Sequence, residues 1–322
     1  MSSLTNKLWV DKWAPKTIDE IVLPELEKNQ LRNFINKGEI PNLLFTGIQG
    51  SGKTTTANII IDHIIDNKDD VLIINGSLTT GIDMVRTKID NFCGSYPLGN
   101  SKHKIVFIDE ADYLSPNAQS SLRNLIEKYQ SNVRFIFTGN YLSKIIPALQ
   151  SRCSSYIFKS LPKDDLLNFI TKNLDNENVS YNIKDIQNII DISYPDVRKI
   201  INTLQKLSID NKIVVDDINN IMDVEDKIVN IIKEIIIFLK MGNTNNMSNS
   251  INKLLTLLKD DYGLNYPSVY KRIFDDDDIP TPVKIICNDY SIKHSNALIP
   301  TMNFAAFVYK IIDFYKTFPY KV

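Results

Sequence analysis

Gly47-Ile48-Gln49-Gly50-Ser51-Gly52-Lys53-Thr54 fits the pattern G-x-x-x-x-G-K-[ST] in full. That spacing suits the phosphates of a nucleotide. Glycines at 47, 50 and 52 let the backbone curl, so that N–H groups of Gln49, Gly50, Ser51, Gly52 and Thr55 can point at phosphate oxygens. The N-terminus of a following helix adds to the pull. Lys53 would bring a compact cation to the β- and γ-phosphates, and the Thr54 hydroxyl would ligate Mg²⁺. A second constellation, Ile105-Val106-Phe107-Ile108-Asp109-Glu110-Ala111-Asp112, ends an apolar run in acids. Asp109 suits the Mg²⁺ shell, directly or through water, and Glu110 is placed to polarise a water for attack on the γ-phosphate. Val133–Thr138 runs into Gly139-Asn140. There the Asn140 amide either holds the attacking water or the γ-phosphate, or simply forms a turn. Arg152, in Leu149-Gln150-Ser151-Arg152-Cys153, reads on its own as a solvated cation at a loop edge.

These groups need a scaffold that brings strand ends together. Over the first 160 residues, short apolar runs alternate with amphipathic segments, which predicts βαβ units and a parallel sheet. Strands are expected at Asn42–Phe45, Val71–Asn75, Ile105–Asp109, Val133–Thr138 and Tyr156–Phe158. In such sheets ligands bind at the carboxyl ends of the strands, where Gly47, Asp109 and Asn140 fall. After Leu161-Pro162 the strand signals vanish, and three short helices are expected at Asp165–Leu174, Ile183–Ile192 and Asp196–Leu207. From about Val224 the pattern is helical to the end, with Ile228, Ile231, Ile232, Ile235 and Leu239 at helical spacing. Gly242–Ser250 reads as a loop by composition, and Asp275–Asp278 as a solvated turn.

The 322 residues are enough for two or three domains. With 37 Lys+Arg against 38 Asp+Glu, net charge −1, the chain is neither a basic nucleic-acid coat nor a membrane-surface polycation. Cys93, Cys153 and Cys287 are far apart and show no metal or disulfide spacing. His63, His103 and His294 read as surface or packing residues. A reducing, intracellular setting without zinc is expected. Met1–Lys12 is no signal peptide, and Ile228–Leu239 is too short to span a bilayer.

With these residues in view, the chain resembles the AAA+ ATPases, and within them the clamp-loader subunits of DNA replication. Ser151-Arg152-Cys153 is similar to the family's S-R-C box, and Asp109-Glu110-Ala111-Asp112 to its D-E-A-D box. Trp9-Val10-Asp11-Lys12-Trp13-Ala14-Pro15 resembles its N-terminal W-V-E-K-Y-R-P. Ser121–Tyr129 resembles the helix ending in M-E-x-Y, and Pro195-Asp196-Val197-Arg198-Lys199 the Arg-bearing lid motif. Pro-Asp-x-Arg-Lys and the short chain look most like the large ATPase subunit of T-even-type phage clamp loaders, with replication factor C small subunits second.

The resemblance implies an α/β AAA+ core (residues 1–160) with parallel strand order 5-1-4-3-2. A three-helix lid (161–222) and an all-α collar (223–322) that assembles subunits would follow. It implies an ATP- and Mg²⁺-dependent hydrolase that opens a sliding clamp and loads it on primer–template DNA. Its partners would be other loader subunits in a hetero-oligomeric, pentameric ring or spiral, with no membrane. Such a protein would work in the cytoplasm, of an infected cell if viral, or in the nucleus. Asn140 and Arg198 would sense the γ-phosphate, Arg152 would act on ATP in a neighbour, and Val10 and Pro15 would lie near the adenine. Arg86, Lys88 and Arg123 are either DNA-backbone contacts or solvated helix charges. Two departures stand out. Trp13-Ala14-Pro15 lacks the family's Arg, and Asn75–Gly81 offers only Asn75 as a switch to restrain Glu110. Three other readings compete. An unfoldase would show an aromatic pore loop, which Met84-Val85-Arg86 is not. A structural subunit would have lost Lys53 or Glu110. A GTPase would carry Asn-Lys-x-Asp.

Overall fold

The computed structural model describes residues 8–78, 82–215, 223–260 and 264–317. The chain divides into two compact units, Met1–Val214 and Val215–Val322.

In the first unit the apolar runs form β1 (Leu43–Gly47), β2 (Val71–Asn75), β3 (Lys104–Asp109), β4 (Val133–Gly139) and β5 (Ser154–Phe158). They pair in parallel in the order β2-β3-β4-β1-β5, which is the expected order read from the other edge. Side chains alternate across a strand, so each strand feeds two cores. Leu43, Phe45, Ile105, Phe107 and Ile136 pack on one face with Leu31 and Ile60. Leu44, Val106, Ile108, Phe135 and Phe137 pack on the other with Leu122 and Leu125. Each such side chain contributes about 1.5–3 kcal/mol on full burial, so the strand ends are rigidly held.

Helices α1 (Trp9–Lys12) and α2 (Glu25–Lys37) precede β1. Between β1 and α3 (Lys53–Ile64) the chain makes the Gly-rich turn. Gly47 sits at φ 144°, and a Cβ there would stand 2.0 Å from the Phe158 carbonyl oxygen of β5. No side chain fits. Helix α4 (Ile82–Cys93) links β2 to β3, and α5 (Pro116–Lys128) follows β3. Ser115 caps α5 by accepting from the Ala118 N–H at 3.2 Å. Gln119, fully buried, donates to the Leu114 and Lys144 carbonyls at 3.0 and 2.9 Å and accepts from the Ile146 N–H at 2.8 Å. It thereby ties the start of α5 to the loop after β4. Helix α6 (Pro147–Gln150) leads into β5.

Three helices follow in the same unit: α7 (Lys163–Asn176), α8 (Ile183–Ser193) and α9 (Val197–Leu207). Asp196 caps α9, accepting from the Lys199 N–H at 3.0 Å. A two-stranded hairpin, β6 (Ser208–Ile209) with β7 (Lys212–Ile213), was not foreseen. Two-residue strands carry no alternation to read. Its turn shows instead in Asp210 and Asn211, both at positive φ, the backbone a two-residue hairpin favours.

The second unit consists, among the described residues, of α10 (Val224–Met241), α11 (Thr244–Asp260), α12 (Tyr266–Asp275), α13 (Thr281–His294) and α14 (Pro300–Thr317). Its core joins Ile228, Ile232 and Ile235 to Tyr270, Phe304 and Phe307. The loop expected over Gly242–Ser250 is largely helix. Asn243 accepts from the Asn246 N–H at 3.2 Å, Met247 is buried, and the Ser250 hydroxyl donates to Glu234 at 2.9 Å. The polar residues are a helix start, with two positions turned inward. In the acidic run, Asp276 and Asp278 share Lys233 of α10 at 2.6 and 3.0 Å, so one cation offsets part of its charge. No helix among the described residues is long and apolar enough to cross a membrane.

Candidate nucleotide site

Strand ends β1, β3 and β4 and the first turns of α3 and α9 converge on one cavity. Gln49, Gly50, Lys53, Thr54, Asp109, Glu110, Asn140 and Arg198 line it, with Tyr113, Thr138 and Gly139. A contiguous apolar hollow shares Gly50, Lys53, Thr54 and Arg198. It is walled by Val10, Trp13, Ala14, Pro15, Ile21, Val22, Leu166, Phe169 and Ile201, with Ser51, Gly52 and Thr55 at its edge. A polar chamber beside an apolar slot matches the two ends of a nucleotide.

Lys53 is 8% exposed. Its Nζ donates to the Gly47 and Ile48 carbonyls at 3.0 and 2.7 Å. Burial pulls its pKa from the usual 10.5 down to about 8; Asp109, Asp112 and Asp196 oppose the shift, and Arg198 adds to it. A polyphosphate entering the chamber would meet a desolvated cation held by only two carbonyls.

The Thr54 hydroxyl donates to both Asp109 carboxylate oxygens, at 3.1 and 3.3 Å. A hydroxyl and a carboxylate at this separation are the hard oxygen donors Mg²⁺ takes from proteins, which usually supply one or two ligands beside phosphates and waters. Among the described residues no three acidic, His or Cys side chains cluster as metal ligands.

Thr138, which sequence reasoning passed over, organises both acids. Its hydroxyl donates to Asp109 Oδ1 and accepts from the Glu110 N–H at 3.1 Å. No signal in the sequence marks it, because its role comes from β4 lying beside β3. Glu110 itself has φ 56° and ψ 43°, a left-handed conformation costing a non-glycine residue about 1–3 kcal/mol. Gly76 braces it from β2. The Gly76 N–H donates to the Asp109 carbonyl at 2.7 Å, and a Cβ at Gly76 would lie 2.5 Å from the Glu110 carbonyl oxygen. Asp112 closes the same acidic run. It is 5% exposed, with both carboxylate oxygens unpartnered among the described residues.

Arg152 does not line the cavity. Its Nε donates to Glu127 Oε1 at 2.9 Å, Nη2 reaches the same oxygen, and Nη1 donates to the Ala148 carbonyl at 2.7 Å. Arg86 and Lys88 are exposed on α4, and Arg123 is half-buried on α5 with its guanidinium on Asn124 Oδ1 at 2.8 and 3.2 Å. Asn75 Oδ1 accepts from the Ser77 N–H and hydroxyl at 2.8 and 2.7 Å. Thr79–Gly81 lies outside the described residues.

The family described as "ATPase family associated with various cellular activities (AAA)" matches residues 43–161, the span from β1 past β5. The replication factor C small subunit of Sulfolobus acidocaldarius is 34% identical over 88% of this chain and 88% of its own length. That of Saccharolobus solfataricus is 35% identical over 83% and 79%. The chain belongs to the replication factor C small-subunit family of AAA ATPases. This corrects the expectation of a T-even-type phage large subunit. Pro195 and Lys199, the residues that set the Pro-Asp-x-Arg-Lys motif apart, flank one helix start, and a local difference of that size does not place a lineage. Similarity to replication factor C extends over nine-tenths of the chain, well past that motif. The Thermotoga maritima RuvB Holliday junction branch migration motor aligns with TM-score 0.54 over 70% of this chain and 79% of its own at 21% identity. That is agreement in fold.

Proposed function

We propose that this replication factor C-like ATPase works as a clamp-loader subunit. It would bind and hydrolyse ATP to open a sliding clamp and place it on primer–template DNA. The observation that carries the reading is the convergence of Lys53, Thr54, Asp109, Glu110, Asn140 and Arg198 on one chamber, with Arg152 outside it. Lys53 exchanges its two carbonyl partners for β- and γ-phosphate oxygens. Thr54 and Asp109 hold Mg²⁺, which when bound neutralises charge on the phosphates. Glu110 takes the proton of the attacking water, kept in place by Thr138 and Gly76. Asn140 from β4 and Arg198 from α9 contact the γ-phosphate from two sides. Arg152, which is not among the residues lining its own chamber, completes the site of a neighbouring subunit. Residues 161–222 act as the lid and 223–322 as the collar that joins subunits. Arg86, Lys88 and Arg123 supply backbone contacts to DNA, which several subunits share. A nearly neutral chain fits that arrangement, since no single copy needs to bind DNA tightly.

Co-purification with candidate clamps under a nonhydrolysable ATP analogue, followed by ATPase assay with and without primed DNA, tests the reading. It predicts ATP-dependent clamp capture and Mg²⁺-dependent turnover raised by clamp and primed DNA together. Turnover indifferent to both would sink it.

A further inference from the structure

The apolar end of the site is walled by the N-terminal segment on one side and by α7 and α9 on the other, and one carboxylate fastens them. Trp13 is 5% exposed. It stacks on Trp9 (ring centroids 4.7 Å apart, 20° between planes) and meets Phe169 of α7 edge-on at 6.5 Å. Its indole N–H donates to Glu177 Oε1 at 3.3 Å, and Lys12 Nζ donates to Oε2 at 2.5 Å. Both oxygens of Glu177, the residue just after α7, are thus taken by the α1 segment. Another tie runs from the Trp9 N–H to Gln205 Oε1 of α9 at 2.9 Å. Trp13, Phe169, Val197, Arg198 and Ile201 all line the same hollow.

We propose that Glu177 is a positioning residue for the nucleobase: it holds Trp13 against Phe169, so that the flat slot for the base is formed before nucleotide arrives. The proposal rests on the reading of this site as an ATP site and extends it to base recognition. The usual Tyr-Arg-Pro is here Trp13-Ala14-Pro15, so an indole N–H is available where a phenol would stand, and Glu177 accepts it. The Lys12–Glu177 pair is half open to water, with side-chain exposures of 53% and 16%, and its share is modest. The indole contact is worth roughly 2- to 10-fold in an equilibrium constant and the half-open ion pair roughly 1.5- to 3-fold. A slot formed in only a fraction of molecules weakens apparent affinity by that fraction, so losing both contacts should cost the base about 3- to 30-fold in binding. Ligands without a base should not feel the loss.

Calorimetric titration of the full chain with a nonhydrolysable ATP analogue and with inorganic tripolyphosphate, which has phosphates but no base, separates the two ends of the site. Glu177→Ala should weaken the analogue by that factor and leave tripolyphosphate within about twofold. Glu177→Gln keeps an acceptor for the indole but loses the charge facing Lys12. It should recover part of the loss and match Lys12→Ala, and these two variants decide the matter should the alanine variant fail to fold. The sequence has two tryptophans, Trp9 and Trp13, so intrinsic emission reports the wall directly. It should respond to the analogue in the wild type and be altered before ligand in Glu177→Ala. Equal losses for both ligands, or an unchanged analogue affinity, would overturn the proposal. A wild-type chain that binds neither ligand would instead overturn the site assignment, and the proposal with it.

Discussion

Replacing Lys53 with Met should stabilise the nucleotide-free protein while abolishing its response to ATP. The wild-type ammonium is buried and its pKa falls from 10.5 to about 8. At 1.36 kcal/mol per pH unit, the interval of 10.5 − 8 corresponds to about 3 kcal/mol of strain from holding the charge in the fold. Methionine fills a similar linear volume without a charge. It leaves the Gly47 and Ile48 carbonyls without this donor, which returns about 1–2 kcal/mol of the gain. The net is about 1–2 kcal/mol, a rise of roughly 2–8 °C in melting temperature for a unit of this size. The folded-state pKa lies below the unfolded one, so the penalty is fully present below about pH 8 and fades as pH rises toward 10.5. Thermal melts without nucleotide should therefore put the variant ahead at pH 7 and level with or slightly below the wild type near pH 10, where about 1 kcal/mol of the penalty is left against the lost carbonyl bonds. Adding ATP and Mg²⁺ at pH 7 should reverse the order, because only the wild type gains stability by binding. A variant less stable than wild type at pH 7, or one that keeps its full advantage at pH 10, would refute the reasoning.

Glu110→Gln should keep ATP binding and slow hydrolysis by roughly 10²–10⁴-fold, read in single turnovers; an unchanged rate would mean another group takes the proton. Thr138→Val removes the hydroxyl shared by Asp109 and Glu110, and should lower turnover about 10- to 100-fold and raise the Mg²⁺ concentration needed for half-maximal rate. Gly76→Ala drives a methyl group into the Glu110 carbonyl. It should cost about 1–3 kcal/mol of stability by overpacking and slow hydrolysis more than it weakens ATP binding, as paired melts and single turnovers would reveal.

What sequence could reveal divides along physical lines. Residues whose chemistry depends on the spacing of near neighbours were legible: Gly47 to Thr54, and the acids that follow Ile108, because the strand and helix that present them are local. Strand order is less local, and it came from the resemblance. Thr138 and Gly76 were not legible, since their importance comes from β4 and β2 lying on either side of β3, which no run of residues states. The Trp13–Glu177 contact joins positions 164 apart in the chain and could be seen only after folding. Composition misled at Gly242–Ser250, where Asn and Ser suit a helix start as well as a loop. Pro195 and Lys199, two positions around one helix start, likewise could not place the lineage, which similarity over nine-tenths of the chain does.

The most direct test of the account mixes two inactive proteins. Arg152→Ala chains retain an intact chamber but offer no cation to a neighbour; Lys53→Ala chains offer the cation but have a broken chamber. Arginines supplied from a neighbour are worth about 10³–10⁵ in rate where they have been measured. Each variant alone should lose nearly all turnover stimulated by clamp and DNA, and assemblies containing both should recover part of it, wherever an intact Arg152 faces an intact Lys53 site. Mixed assemblies that form but stay inactive, or an isolated chain whose basal hydrolysis falls on Arg152→Ala, would contradict the account.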